Sequence, residues 1–169
     1  MNIPVDNTIL TAQATAISNL ILTMRQADGF YFDWLVTNQR NYAVSDTSFP
    51  RAEIYALVED SLDQMTGIGS GDYTNAVSWE IHVVNKLMVS STNPVFDIYS
   101  YDNMALDDLK MLFGNPANRS VSGTCDSFLY KGIKREIRAI DQFTPSKFIT
   151  NWRSVYSQDR ANPSEYAGS

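Results

Sequence analysis

Two stretches of the chain alternate apolar and polar positions in period two and lie close enough in sequence to pair. From Arg51 to Glu59, Ala52, Ile54, Ala56 and Val58 share one face, while Glu53, Tyr55 and Leu57 share the other. In the second stretch Val77, Trp79, Ile81 and Val83 oppose Ser78, Glu80, His82 and Val84. This is the pattern of a half-buried antiparallel hairpin. The polar stretch Asp60 to Asn75 between them, with Asp63, Gly67, Gly69, Gly71 and Asp72, predicts a loop longer than a hairpin turn requires, in a length range where loops often carry function.

Helical spacing governs two other segments. Ile9, Leu10, Ala16, Ile17, Leu20, Ile21 and Met24 form one apolar stripe, which predicts a helix capped by Asp6 or Asn7, running to about Ala27 and ended by Asp28-Gly29. Ala105, Leu106, Leu109, Leu112 and Phe113 form another, predicting a helix from near Asp102 to Gly114, with acids in its first half where the helix dipole favours them. The aromatic run Phe30 to Val36 favours a strand beside the hairpin. Thr37 to Ser48 reads as a polar connection, and Met88 to Tyr101 as an irregular segment with a turn at Ser90 to Pro94. Ser127 to Arg138 predicts a strand with a bulge at Gly132, and Lys147 to Ser157 a final strand.

The order is therefore helix, three strands, helix, two strands. The economical architecture is α+β: a single domain over residues 1–169 with a mainly antiparallel sheet of about four to five strands and two helices packed on one face. Residues 1–5 are expected as an extended arm and 160–169 as an extended polar tail.

Charge changes this picture more than composition does. The net charge is −6 with an isoelectric point near 4.6, but residues 1–109 carry −10 and residues 110–169 carry +4. If folding preserves that asymmetry, an acidic face of one copy meets a basic face of the next, which favours head-to-tail association. A charged share of only 19% is compatible with a subunit that covers surface by assembling. No apolar run approaches a membrane span, and acidic Asp6 stands where a secretory signal would be basic, so a soluble, unsecreted protein without membrane contact is expected. The single cysteine, Cys125, excludes an internal disulfide, and with one histidine it leaves no zinc-type cluster.

Candidate chemistry is sparse. The glycines of Thr66 to Asp72 have no Lys-Ser/Thr after them and join two strands instead of opening a helix, so they do not make a phosphate loop. His82 beside Glu80 has no evident nucleophile to serve, and a surface or cross-strand contact is the expectation. Glu59-Asp60-Asp63 and Asp107-Asp108 lack EF-hand spacing and read as solvated acids. No Gly-x-Ser-x-Gly occurs. No cofactor, metal or catalytic residue is therefore expected. Lys131, Lys134, Arg135 and Arg138 interleave with Phe128 and Tyr130, as in a strand that reads single-stranded nucleic acid, but the acidic whole opposes a phosphate backbone.

The N-terminal helix, the aromatic segment Phe30 to Trp34, Phe49-Pro50-Arg51-Ala52-Glu53-Ile54, the strand Val77 to Val84, the helix Leu106 to Leu112, and Phe143-Thr-Pro-Ser-Lys-Phe148 with Trp152 to Arg160 together give a further pointer. In this order the chain resembles the tail terminator (tail completion) proteins of long-tailed bacteriophages, α+β subunits that form a ring, usually a hexamer, on the tail tube. The resemblance covers most of the chain and rests on the order of patterns, not on a catalytic signature. It implies a structural virion protein, made in the bacterial cytoplasm and placed at the tail-neck junction. Such a ring ends tube growth, joins the tail to the neck and lets DNA pass without sequence-specific binding. Its implied partners are further copies of itself, the tube protein and a neck or stopper protein. The residues it singles out lie at a subunit interface or channel: Asp60, Asp63, Gly67, Gly69, Gly71 and Asp72 in the loop, and Lys131, Lys134, Arg135 and Arg138 on the basic strand. The alternatives are another neck component, such as a stopper or head-tail adaptor, and, from other classes, a small enzyme or a nucleic-acid-binding module.

Overall fold

The period-two stretches pair as expected, and their ladder sets the architecture. A computed structural model describes residues 8–37, 49–62, 72–87, 94–136 and 145–159. Its elements are α1 (Ile9–Leu22), β1 (Leu35–Val36), β2 (Arg51–Ser61), β3 (Asp72–Asn85), α2 (Pro94–Gly114), β4 (Ser127–Arg135) and β5 (Ser146–Asp159). They form one five-stranded sheet in the order β1-β2-β3-β5-β4. Every pairing is antiparallel except the two-residue β1, which runs parallel to the start of β2. The fold is thus α+β with a mainly antiparallel sheet.

Alternation decides which side of the sheet is buried. Ala52, Val83 and Phe148 lie in one cross-strand row, Trp79 and Trp152 in another, and all are almost wholly buried. Against them pack Ile17 and Ile21 of α1 and Ala105, Leu109 and Phe113 of α2, so both helices share one face of the sheet and one core. Phe113, Phe128 and Trp152 form an aromatic stack there, with Phe128 and Trp152 nearly parallel at 5.2 Å. A buried polar relay fixes α1 in place. The Trp79 indole donates to Ser154 Oγ (2.9 Å), Ser154 Oγ donates to Gln13 Oε1 (2.8 Å), and Gln13 Nε2 donates to the carbonyl of Thr124 (3.1 Å). Each buried polar group in that relay has its partner, so it specifies the seating of the helix instead of penalising it.

Several expectations are corrected. The aromatic run from Phe30 to Trp34 is not a strand; only Leu35 and Val36 pair. Asp108 explains this. It is fully buried, and its carboxylate accepts from the backbone N–H of Tyr31 (2.8 Å) and Phe32 (3.2 Å) and from the indole of Trp34 (2.9 Å), so the backbone donors that a strand would use go to α2. Asp108 is therefore not a solvated acid. Burial pushes its carboxyl up from the ordinary range, partly offset by those three donors.

α2 begins at Pro94 and not near Asp102, because proline suits a first helical turn where its missing N–H costs nothing. Asp102 then lies inside the helix, buried, accepting from Ser146 Oγ at 2.6 Å. The first helix stops at Leu22, and its cap is Thr8, whose Oγ1 accepts from the N–H of Thr11. Asp6 and Asn7 lie outside the described residues, as do residues 1–5 and 160–169. The strands around the central connection are longer than their alternation suggested. β2 runs through Ser61 and β3 starts at Asp72, so Asp60 and Asp72 to Asn75 are ladder residues, not loop. β5 pairs with β3 from Asp72 onward and β2 joins from Asn75, and this ladder carries β3 through polar residues of weak strand propensity.

Candidate assembly surface

The face of the sheet opposite the helices carries the side chains that the core does not use. The cross-strand register orders them in rows running from β2 through β3 and β5 to β4. One row is Val58, Ser78, Arg153 and Leu129; the next is Tyr55, Glu80, Asn151 and Gly132; the next is Glu53, His82, Ile149 and Lys134. Charge is sorted along these rows. Glu53, Asp60 and Glu80 belong to β2 and β3, where the cation Arg51 is buried over the Phe49 ring, while Lys131, Lys134, Lys147 and Arg153 belong to β4 and β5. On this face, charge is thus divided between the hairpin and the β4–β5 pair, which occupy opposite sides of the sheet. Lys131, Lys134 and Arg153 make no salt bridge among the described residues.

Two bulges shape this face. The β2–β3 register shifts at Leu57 and the β4–β5 register at Lys131. The second shift fits the expected bulge, with Gly132 at φ 146°, a conformation that side-chain-bearing residues rarely adopt. Between the bulges lies a depression of about 430 Å³ bordered by Leu57, Asp60, Ser78, Lys131, Asn151 and Arg153. Asp60 and Lys131, singled out separately in the sequence, therefore border one patch. Apolar side chains are exposed at both of its ends: Leu57 and Val58 are more than half exposed on β2 and Leu129 nearly half on β4. Exposed apolar residues at a strand edge are a pairing liability unless a partner covers them.

The other candidate residues separate. Lys134 is exposed at the basic border. Arg135 points to the helix side instead, where its guanidinium donates to Asn103 Oδ1 and lies 6.0 Å from the Tyr99 ring of α2. Asp72 opens β3 opposite Asp159. Asp63, Gly67, Gly69, Gly71 and Arg138 lie outside the described residues.

His82 contacts Glu80 along its own strand and Tyr55 across to β2. Its Nε2 is 2.6 Å from Glu80 Oε2, and its ring is tilted 4.7 Å from that of Tyr55, whose hydroxyl donates to Glu53. The aliphatic part of the surface, from Val58 to Leu129, was missed in the sequence. Leu57 and Val58 read there as ordinary alternating positions, because the bulge that exposes both cannot be seen without the partner strand.

Beside β2 is a larger groove of about 590 Å³ between the strand and α1, lined by Leu10, Ala14 and Leu22 on the helix and Glu53, Ile54 and Ala56 on the strand. It lies on the outer side of β2, where β1 pairs only with Arg51 and Ala52. Among the described residues no three His, Cys, Asp or Glu side chains converge as a metal site, and no helix is long and apolar enough to cross a membrane. Neither protein-family models nor curated proteins yield a match to this chain.

Proposed function

We propose that this chain is a structural subunit of a bacteriophage tail, a tail terminator that assembles into a ring on the end of the tube, stops its growth and presents a surface to the neck. The observation that carries this reading is the sorting of charge across the open sheet face, acidic at β2 and β3 and basic at β5 and β4, with exposed apolar residues at both borders. Opposite signs on opposite sides of one subunit favour heterologous contacts between copies, and such contacts close into rings when the rotation between neighbours divides a full turn. The order of helices and strands, and the resemblance built on it, supply the choice of phage tail among ring-forming assemblies. The work of such a protein is complementarity of surfaces, and no step in it requires a bond to be made or broken.

The test is mass measurement of the purified protein at micromolar concentration, followed by its addition to growing tube subunits. A discrete oligomer, expected to be a hexamer, that binds tube ends and stops elongation supports the reading. A monomer that leaves tube length unchanged overturns it.

A further inference from the structure

Resting on that ring-forming reading, we infer that neighbouring copies join edge to edge, the outer edge of β2 in one copy pairing with the outer edge of β4 in the next so that their sheets become continuous. Three observations carry this. First, both edges are open among the described residues. β4 is the last strand of the sheet, and β1 covers only Arg51 and Ala52 of an eleven-residue β2. Strand edges with unpaired N–H and C=O groups are templates for another strand.

Second, the directions agree. β2 and β4 run in opposite senses within the sheet, since each of the three steps from β2 to β4 is antiparallel. A rotation about an axis along the strands preserves direction, so β4 of one copy meets β2 of the next antiparallel, the more stable pairing. Third, the side chains match when the copies meet without stagger. Leu129 then stands opposite Val58, and Lys134 opposite Glu53, because each pair already shares a row across the single sheet. An apolar pair replaces two exposed apolar groups, and an ion pair joins exposed Lys134 to half-buried Glu53, which already accepts from the Tyr55 hydroxyl. On the other side of the strands, Ile133 stands opposite Ile54, facing the groove between β2 and α1. That groove receives it.

The occupant is therefore a second copy of this chain, and the contact is head-to-tail. The full-length Val58→Cys/Leu129→Cys double variant tests it, since directly opposed antiparallel positions come within disulfide range and native Cys125 is buried. Oxidation is expected to give a covalent ladder up to the size of the assembly, while V58C and L129C alone give none. If mass measurement finds an oligomer but the double variant does not cross-link, edge pairing is wrong while the ring reading stands. A dimer from either single variant indicates a symmetric contact and overturns the proposal. A chain monomeric throughout removes both readings. As a second measurement, E53K and K134E are each expected to weaken association about tenfold or more by opposing like charges, and the E53K/K134E pair to recover it. Independent, non-compensating effects overturn the pairing.

Discussion

Asp108→Ala isolates the contact that turns the aromatic segment away from the sheet. Three donors lose their acceptor: the backbone N–H groups of Tyr31 and Phe32 and the indole of Trp34. Trp34 is wholly buried, so its N–H is left without water and costs about 1–3 kcal/mol. Tyr31 is 49% exposed and Phe32 partly so, and their N–H groups regain water, at a net loss of about 1 kcal/mol between them. The variant also relieves the burial of a carboxyl whose raised pKa shows that desolvation outweighs its hydrogen bonds. The expected net loss is about 2–3 kcal/mol, which for a chain of this length lowers Tm by about 4–12 °C.

Urea unfolding followed by far-ultraviolet circular dichroism, at one fixed protein concentration, measures it. A lower midpoint at unchanged slope is expected. Trp34→Phe removes one donor and leaves the carboxylate two others, so the double variant is expected to show coupling of about 1–2 kcal/mol. An Asp108→Ala loss below about 0.5 kcal/mol, or additive single effects, refutes the view that this carboxylate holds the segment.

Two further outcomes follow from the buried groups. Burial raises the Asp102 carboxyl above its ordinary range despite the Ser146 hydroxyl, so the native state holds that proton more tightly than the unfolded chain. Its stabilising contribution is complete below the ordinary carboxyl pKa and is lost as pH rises through the raised native value. Asp102→Asn is therefore expected to gain stability relative to wild type as pH rises above the ordinary carboxyl range, followed by denaturant titration, and the opposite trend refutes the assignment. Burial likewise pushes the Cys125 thiol up to about 12, with neighbouring Asp126 adding to the shift. A disulfide reagent is expected to label it only at the rate of unfolding, and rapid labelling of the native protein contradicts its placement.

Periodicity alone determined the fold class. Alternation in two stretches and helical stripes in two others, with Gly132 punctuating the basic strand, are local signals, and the α+β sheet with both helices on one face follows from burying their apolar sides together. The imbalance of charge between the two parts of the chain was also legible, since it needs only counting. Tertiary structure decided the rest. The aromatic segment had the propensity of a strand, but propensity is weak against three hydrogen bonds to a buried carboxylate 74–77 positions away.

The length of β3 depended on its pairing with β5 as far as Asp72, and the start of α2 on Pro94 occupying a first turn, neither of which a local window resolves. The candidate surface shows the division most plainly. Asp60 and Lys131 were visible as charged residues, but only strand order brought them to one depression, turned Arg135 toward α2 and aligned Val58 with Leu129, because register is a property of paired strands and not of any one of them.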